Sequence, residues 1–394
     1  MTAISILKDL IREYSEEIDK ASIKSRCAMN EAEKTMVLEE VTVLVGVRRS
    51  GKTFIMYDLS RKWPGPYLNF EDERLADFES GDFEKLLQIA KEENSKAIYL
   101  DEIQNVANWE KFAHRIHRQI KLVVSGSNSS LLAGDYATAL TGRTRTVNVY
   151  PLNFKEFLHF KDATPNRESF EKYLSLGGFP RVVLTEEKEL VKEYFEAIIN
   201  RDIIARNAPK YPEALRKIAI YLLSNAGKPF TYRSIGSAVN LKHEMTTREY
   251  ISYMKQAYLL EYLTRYDPSL KKQESFEKKA YGVDHSLAYV GMRLDDDRGR
   301  VFENAMLSNL RQQGTIFFAR NSGETDFLIT DSLKPKWALN VCYELCGERE
   351  ERELVPLRAW KEKNVRATLV VVYPMAKQPE DIEFRLAHEF LALL

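Results

Sequence analysis

The spacing of hydrophobic positions along this chain changes several times, and each change marks an element. Ile4, Leu7, Leu10 and Ile11 recur at helical spacing, so residues 1–35 read as one or two amphipathic helices. The period then collapses. Val41–Val45 is a nearly continuous apolar run, followed at once by a glycine-containing turn and a helical stretch over residues 53–62. Similar short runs lie at 66–70, 97–100, 122–124 and 146–150, with helical segments between them. Strands that are apolar on both sides belong in a sheet covered on both faces, so residues 36–150 predict a parallel sheet flanked by helices.

The pattern changes again past residue 150. Residues 151–205 read as a helical lid or connector, broken by a turn at Gly177-Gly-Phe-Pro180. Residues 206–285 predict three short helices and then two β-like runs at 259–266 and 278–283, which is the order of a winged helix. Residues 286–394 predict a second α/β unit, with a helix over 301–313 and strands at 315–319, 325–329, 337–343 and 367–373. The fold class expected is α/β: a P-loop type sheet domain, a winged-helix segment and a further α/β domain.

Composition narrows the class. With 394 residues, more than one core is expected. No apolar run reaches the roughly 18 residues that span a bilayer, and the first residues lack a signal-peptide pattern. Three cysteines (Cys27, Cys342, Cys346) are too scattered for a disulfide framework, so a reduced, cytoplasmic protein without a membrane partner is expected. Charge is balanced at 58 Lys+Arg against 58 Asp+Glu, yet residues 201–280 hold 15 basic and 8 acidic residues. That surplus suits an acidic partner or a solvated surface.

The turn after the first apolar run reads Gly46-Val-Arg-Arg-Ser-Gly-Lys-Thr53, a complete G-x-x-x-x-G-K-[ST] between a strand and a helix. Such a loop wraps phosphate with its amides, so Gly46, Val47, Arg48, Arg49, Ser50, Gly51, Lys52 and Thr53 are the expected nucleotide-binding residues. Lys52 is placed for the β- and γ-phosphates and the Thr53 hydroxyl for Mg²⁺. About fifty residues on, the run Ala97-Ile-Tyr-Leu ends in Asp101-Glu102. Asp101 is expected beside Mg²⁺ and Glu102 beside the attacking water. ATP and Mg²⁺ are therefore the expected ligands.

Together with Tyr99-Leu-Asp-Glu-Ile-Gln-Asn-Val106, Ser125-Gly-Ser-Asn-Ser-Ser-Leu-Leu132, Leu140-Thr-Gly-Arg143 and Tyr150-Pro-Leu-Asn-Phe-Lys-Glu-Phe157, the loop resembles a prokaryotic AAA+ ATPase family with a C-terminal domain of unknown function. The resemblance runs from about residue 36 to 375. It implies one strand between the Asp101 strand and the loop strand, and a sensor at Ser127 or Asn128. Arg143 and Arg145 either reach a γ-phosphate in a neighbouring subunit, which demands a homo-oligomer, or are surface charges.

In the basic segment, Thr246, Thr247 and Arg248 would open a recognition helix with Tyr250 and Tyr253 nearby, and Lys271, Lys272, Lys278 and Lys279 fall on the wing. DNA and a protein partner both remain open for residues 206–285. The last unit resembles a restriction-endonuclease core, with Glu303 on a helix and Asp326 entering a strand. The following strand reads Asn340-Val-Cys342 where that core has Glu-x-Lys, so catalysis there is expected to be lost, leaving Glu303 and Asp326 either as structural remnants, for example partners of Arg300 or Arg320, or as a weak metal site. His114 and His117 read as surface residues, and Tyr194, Phe195 and Trp360 as core. The leading expectation is an ATPase acting as a nucleotide-driven switch or motor. The alternatives are an ATP-dependent nuclease, which needs a lysine from elsewhere, and a non-hydrolysing scaffold gated by nucleotide.

Overall fold

The computed structural model describes residues 2–128, 142–291, 297–345, 349–374 and 378–394. Their contacts separate them into two units, Met1–Tyr150 with Gln256–Tyr258, and Pro151–Lys255 with Leu259–Leu394.

In the first unit, α1 (Ile4–Lys20) and α2 (Cys27–Met36) precede β1 (Val41–Val45), α3 (Lys52–Lys62) and β2 (Tyr67–Asn69). Then come α4 (Phe83–Glu92), β3 (Ala97–Asp101), α5 (Trp109–Ile116), β4 (Lys121–Gly126) and β5 (Thr144–Asn148). Among the described residues the five strands form an all-parallel sheet, ordered β2-β3-β4-β1-β5. One strand, β4, separates β3 from β1, as the resemblance implied. Because strand side chains alternate, β1 feeds two cores. Val41, Val43 and Val45 join Leu7, Leu10, Phe83 and Trp109 on one face, while Leu44 joins Met29, Ile55, Met56 and Tyr99 on the other. Each such large apolar side chain contributes about 1.5–3 kcal/mol by leaving water. Helices therefore cover both faces, and the strand ends are left to carry chemistry. This is the P-loop NTPase fold.

The second unit opens with α6 (Phe154–Lys161), α7 (Arg167–Leu176), α8 (Pro180–Thr185) and α9 (Leu190–Ala197), which continues into π-helical turns over Ile198–Ile204. A reciprocal cap starts α6. The Glu156 amide donates to Asn153 Oδ1 at 2.8 Å, and the Asn153 amide donates to Glu156 Oε2 at 3.2 Å. Next are α10 (Pro212–Ser224), β6 (Pro229–Phe230), α11 (Tyr232–Ala238), α12 (Glu244–Gln256), β7 (Leu260–Thr264), α13 (Leu270–Ser275) and β8 (Lys278–Gly282). Helices α10, α11 and α12 supply the three expected between residues 206 and 285. The two long strands are not joined by a tight turn, because α13 stands between them, and β8 sits at the centre of an antiparallel sheet ordered β6-β8-β7.

Finally come α14 (Arg298–Leu310), β9 (Thr315–Arg320), β10 (Glu324–Asp331), β11 (Lys334–Glu344), α15 (Arg349–Lys361), β12 (Arg366–Tyr373), β13 (Glu383–Leu386) and α16 (Ala387–Leu393). Their sheet runs β13-β12-β11-β10-β9, antiparallel from β9 to β11 and parallel from β11 to β13. Phe154, Phe157 and Phe170 share one core with Phe302, Phe327, Leu339 and Val370, so α6 and α7 pack with this sheet. Among the described residues no helix is long and apolar enough to cross a membrane.

Candidate functional site

The loop between β1 and α3 is shaped by glycine. A Cβ on Gly46 would lie 2.1 Å from the Val149 carbonyl oxygen, so only glycine fits where the chain leaves β1. Gly51 (φ 99°) and, unusually, Arg49 (φ 68°) take positive φ, which folds the loop back over the start of α3. Ser50 Oγ is buried and has no hydrogen-bond partner among the described residues. An orphaned hydroxyl is costly in an apolar site and natural where a phosphate oxygen belongs. Lys52 is 5% exposed, and its Nζ donates to the Gly46 and Val47 carbonyls at 3.0 and 3.1 Å. Its nearest carboxylate is Glu102 Oε1 at 4.0 Å. The ammonium thus lies over the loop on neutral acceptors.

Asp101 closes the other side. Its Oδ2 accepts from Thr53 Oγ1 and from Tyr67 OH, both at 2.7 Å. Its Oδ1 accepts from Ser125 Oγ and, at 3.1 Å, from the Glu102 amide. Four donors from four segments hold one carboxylate. Glu102 itself sits in the left-handed region (φ 52°), a strained placement for a non-glycine residue that turns its side chain back toward the loop. Ser127 hydrogen-bonds the Glu102 side chain, and Asn128 is buried at the end of β4. Burial and the adjacent Glu102 push Asp101 above the usual carboxylate range. Burial, the largest single influence, acts to raise Glu102, but Lys52, Gln104, Arg48 and Ser127 together outweigh it and leave Glu102 below that range. Within this pair Asp101 is the harder acid to ionise and Glu102 the easier.

Two residues at this site went unread in the sequence. Arg26, 6% exposed, donates from NH1 to the Ser50 carbonyl at 2.5 Å and from NH2 to the Tyr150 carbonyl at 2.8 Å, bracing the loop from the segment before α2. Tyr67 is the other; a hydroxyl-bearing aromatic in the short strand β2 was its only signal. Arg143 lies at the other end of the sheet. Its carbonyl accepts from the Val41 amide at the start of β1, a strand length or roughly 13 Å from the loop. Arg145 pairs with Glu40 at 2.8 Å. Arg48 pairs with Glu71 at 2.7 Å. Ser129, Leu140, Thr141 and Cys346 lie outside the described residues.

Residues 38–158 match a family described as an AAA domain, and residues 167–298 match a domain of unknown function, DUF8612. The uncharacterized protein MJ1544 of Methanocaldococcus jannaschii is 32% identical over 385 residues, spanning 89% of this chain and 84% of that protein. The chain belongs to an AAA-domain family. An uncharacterized Haemophilus influenzae protein is 30% identical over 73% of this chain and 79% of its own. Among solved structures, the Walker-type ATPase PABY2304 of Pyrococcus abyssi aligns with a TM-score of 0.48 and 16% identity, over 69% of this chain and 99% of that one.

Beyond the AAA domain, the structure corrects the reading of the wing. Lys278 and Lys279 are 3% and 1% exposed and are not available to a phosphate backbone. Strand alternation points them to opposite faces of β8, and both faces are covered. Lys278 Nζ donates to the Glu274 and Phe276 carbonyls at 3.1 and 3.3 Å. Thr247 and Tyr250 on α12 are likewise buried, whereas Lys242, Arg248, Lys255, Lys271 and Lys272 are exposed. Glu303 and Asp326 are not partners of Arg300 or Arg320. Arg300 pairs with Asp297 at 2.8 Å, and Arg320 with Glu277 and Glu324 at 2.9 and 2.8 Å. His114 is exposed, and Tyr194, Phe195 and Trp360 are buried.

Proposed function

We propose that this AAA-domain chain binds ATP at residues 46–53 and hydrolyses it slowly, as a nucleotide-driven switch or motor. The observation that carries the reading is the convergence of Thr53 and Glu102 on Asp101, with Lys52 parked on loop carbonyls rather than locked to an acid. Loop amides and Ser50 Oγ are the donors for phosphate, and Lys52 leaves neutral acceptors to meet it. Thr53 and Asp101 would hold Mg²⁺, which supplies charge neutralisation on the phosphate oxygens. Glu102, whose ionised form is favoured by Lys52, Gln104, Arg48 and Ser127 together, orients the attacking water, with Ser127 and Asn128 as candidates to sense the γ-phosphate. Arg143, at the far end of the sheet from the loop, is either a finger for the γ-phosphate of a neighbouring subunit, which demands a homo-oligomer, or a surface charge.

For a partner, the exposed cations Lys242, Arg248, Lys255, Lys271 and Lys272 favour a polyanion such as duplex DNA on residues 206–285. Phosphate contacts of this kind weaken linearly in log salt. Steady-state ATP hydrolysis with and without duplex DNA, paired with DNA binding across a salt series, tests both halves. DNA-stimulated turnover that Lys52→Ala abolishes is the expected result. Turnover unaffected by DNA, with no salt-dependent binding, would retire the polyanion partner and leave the ATPase.

A further inference from the structure

The cluster around Glu303 and Asp326 is unused by the ATPase reading, and its most buried member is a cation. Lys279 Nζ, on the central strand β8, lies 3.1 Å from Glu303 Oε1, 2.8 Å from Glu324 Oε1 and 3.4 Å from Asp326 Oδ1. These acids come from α14 and β10, two elements that do not neighbour Lys279 in sequence. The acids are also held individually. Tyr281 OH donates to Glu303 Oε1 at 2.8 Å, and the Val341 amide donates to Asp326 Oδ2 at 3.0 Å. Asn340 donates to Glu353 Oε2 at 2.8 Å and accepts from the Asp326 amide at 3.2 Å. Gly227 (φ 77°) completes the enclosure, since a Cβ there would sit 2.4 Å from Glu303 Oε2. Among the described residues no three acids, histidines or cysteines converge with the geometry to hold a metal ion.

We propose that Lys279 is the resident cation of this cluster, standing between Glu303 and Asp326 where an endonuclease-like site would hold a divalent metal. The lysine is tethered by its backbone in β8, and an ammonium among three carboxylates satisfies the attraction that a metal would otherwise answer. Glu324 is held below its ordinary range, because Lys279 and Arg320 together outweigh burial. The cation also ties β8 to α14 and β10, a tie repeated by the Asn304 side chain, which donates to the Gly282 carbonyl at 2.9 Å and accepts from its amide at 2.8 Å. The unit therefore works without a catalytic metal, and its surface rather than its cluster meets the partner.

The test is Mn²⁺ binding to the full chain, followed by electron paramagnetic resonance without nucleotide. Asp101→Asn throughout removes the metal ligand of the P-loop, so the outcome is independent of the ATPase reading. With Lys279 intact, no Mn²⁺ is expected that a further Asp326→Asn change abolishes. Such an ion, if found, overturns the proposal. This comparison needs no lysine variant, so it decides even if Lys279→Met does not fold. Where Lys279→Met folds, it is expected to gain a Mn²⁺ site that Asp326→Asn removes, with affinity raised roughly tenfold or more. A folded Lys279→Met that binds no more Mn²⁺ than its parent also overturns it.

Discussion

Both units of this chain bury a lysine, and the two lysines are built for opposite tasks. Lys52 is 5% exposed, rests on two carbonyls at 3.0 and 3.1 Å, and has one acid at 4.0 Å. Lys279 is 1% exposed and touches three acids between 2.8 and 3.4 Å. A cation held by neutral acceptors on a glycine loop can transfer to an incoming phosphate at little cost. One that neutralises three partly buried acids cannot leave without stripping them of their shared cation. Burial of a lysine does not distinguish a responsive site from a fixed one; the identity and distance of its acceptors does.

The largest expected effect breaks the comparison at its fixed end. Lys279→Met should lower unfolding free energy by about 3–5 kcal/mol, as removal of one partner from a buried ion cluster does. Lys52→Met should cost less than about 1 kcal/mol while abolishing nucleotide binding. Chemical denaturation of both variants, with ATP binding measured alongside, checks the contrast; equal losses would erase it. Next in size, Gly227→Ala should destabilise by about 1–3 kcal/mol, because it adds a Cβ against Glu303 at a positive φ. A Glu303→Ala partner change should relieve part of that loss, and strict additivity would contradict the clash.

Tyr67→Phe removes one of four donors to Asp101 and leaves the ring in place. It should raise the Mg²⁺ concentration needed for half-maximal hydrolysis about three- to tenfold, in line with one hydrogen bond of about 1 kcal/mol, with the rate at saturating Mg²⁺ little changed. An unchanged Mg²⁺ curve would remove Tyr67 from the site. The smallest effect concerns a surface pair. Arg366 hydrogen-bonds Glu383 and holds it at about 2, below its ordinary 4.5. An acid depressed by folding contributes stability above its unfolded value, and that contribution is lost as pH falls through the folded one. Arg366→Gln should therefore flatten the stability loss between pH 4.5 and 2 by a small amount, readable in thermal melts across that window.

The AAA domain was legible because its signals are local. Short apolar runs place β1, β3 and β4 to within a few residues, and the loop and Asp101-Glu102 are contiguous words at strand ends. The charged strand β13, Glu383-Phe-Arg-Leu386, carries no such signal and went unread. Arg26 and Tyr67 reach the site through tertiary packing that no spacing encodes. Lys279 shows the limit most clearly. Period two placed it on a strand, and charge suggested an exposed wing. Only the position of α14 over β8 reveals that its partners are acids more than twenty residues away.

The most direct test is at Glu102. In Glu102→Gln the loop, Lys52 and Thr53 are intact, so ATP should bind with wild-type affinity while single-turnover hydrolysis falls by two orders of magnitude or more, roughly the contribution of a positioned base. Hydrolysis by Glu102→Gln at the wild-type rate, with ATP bound equally well, would contradict the catalytic site proposed for this chain.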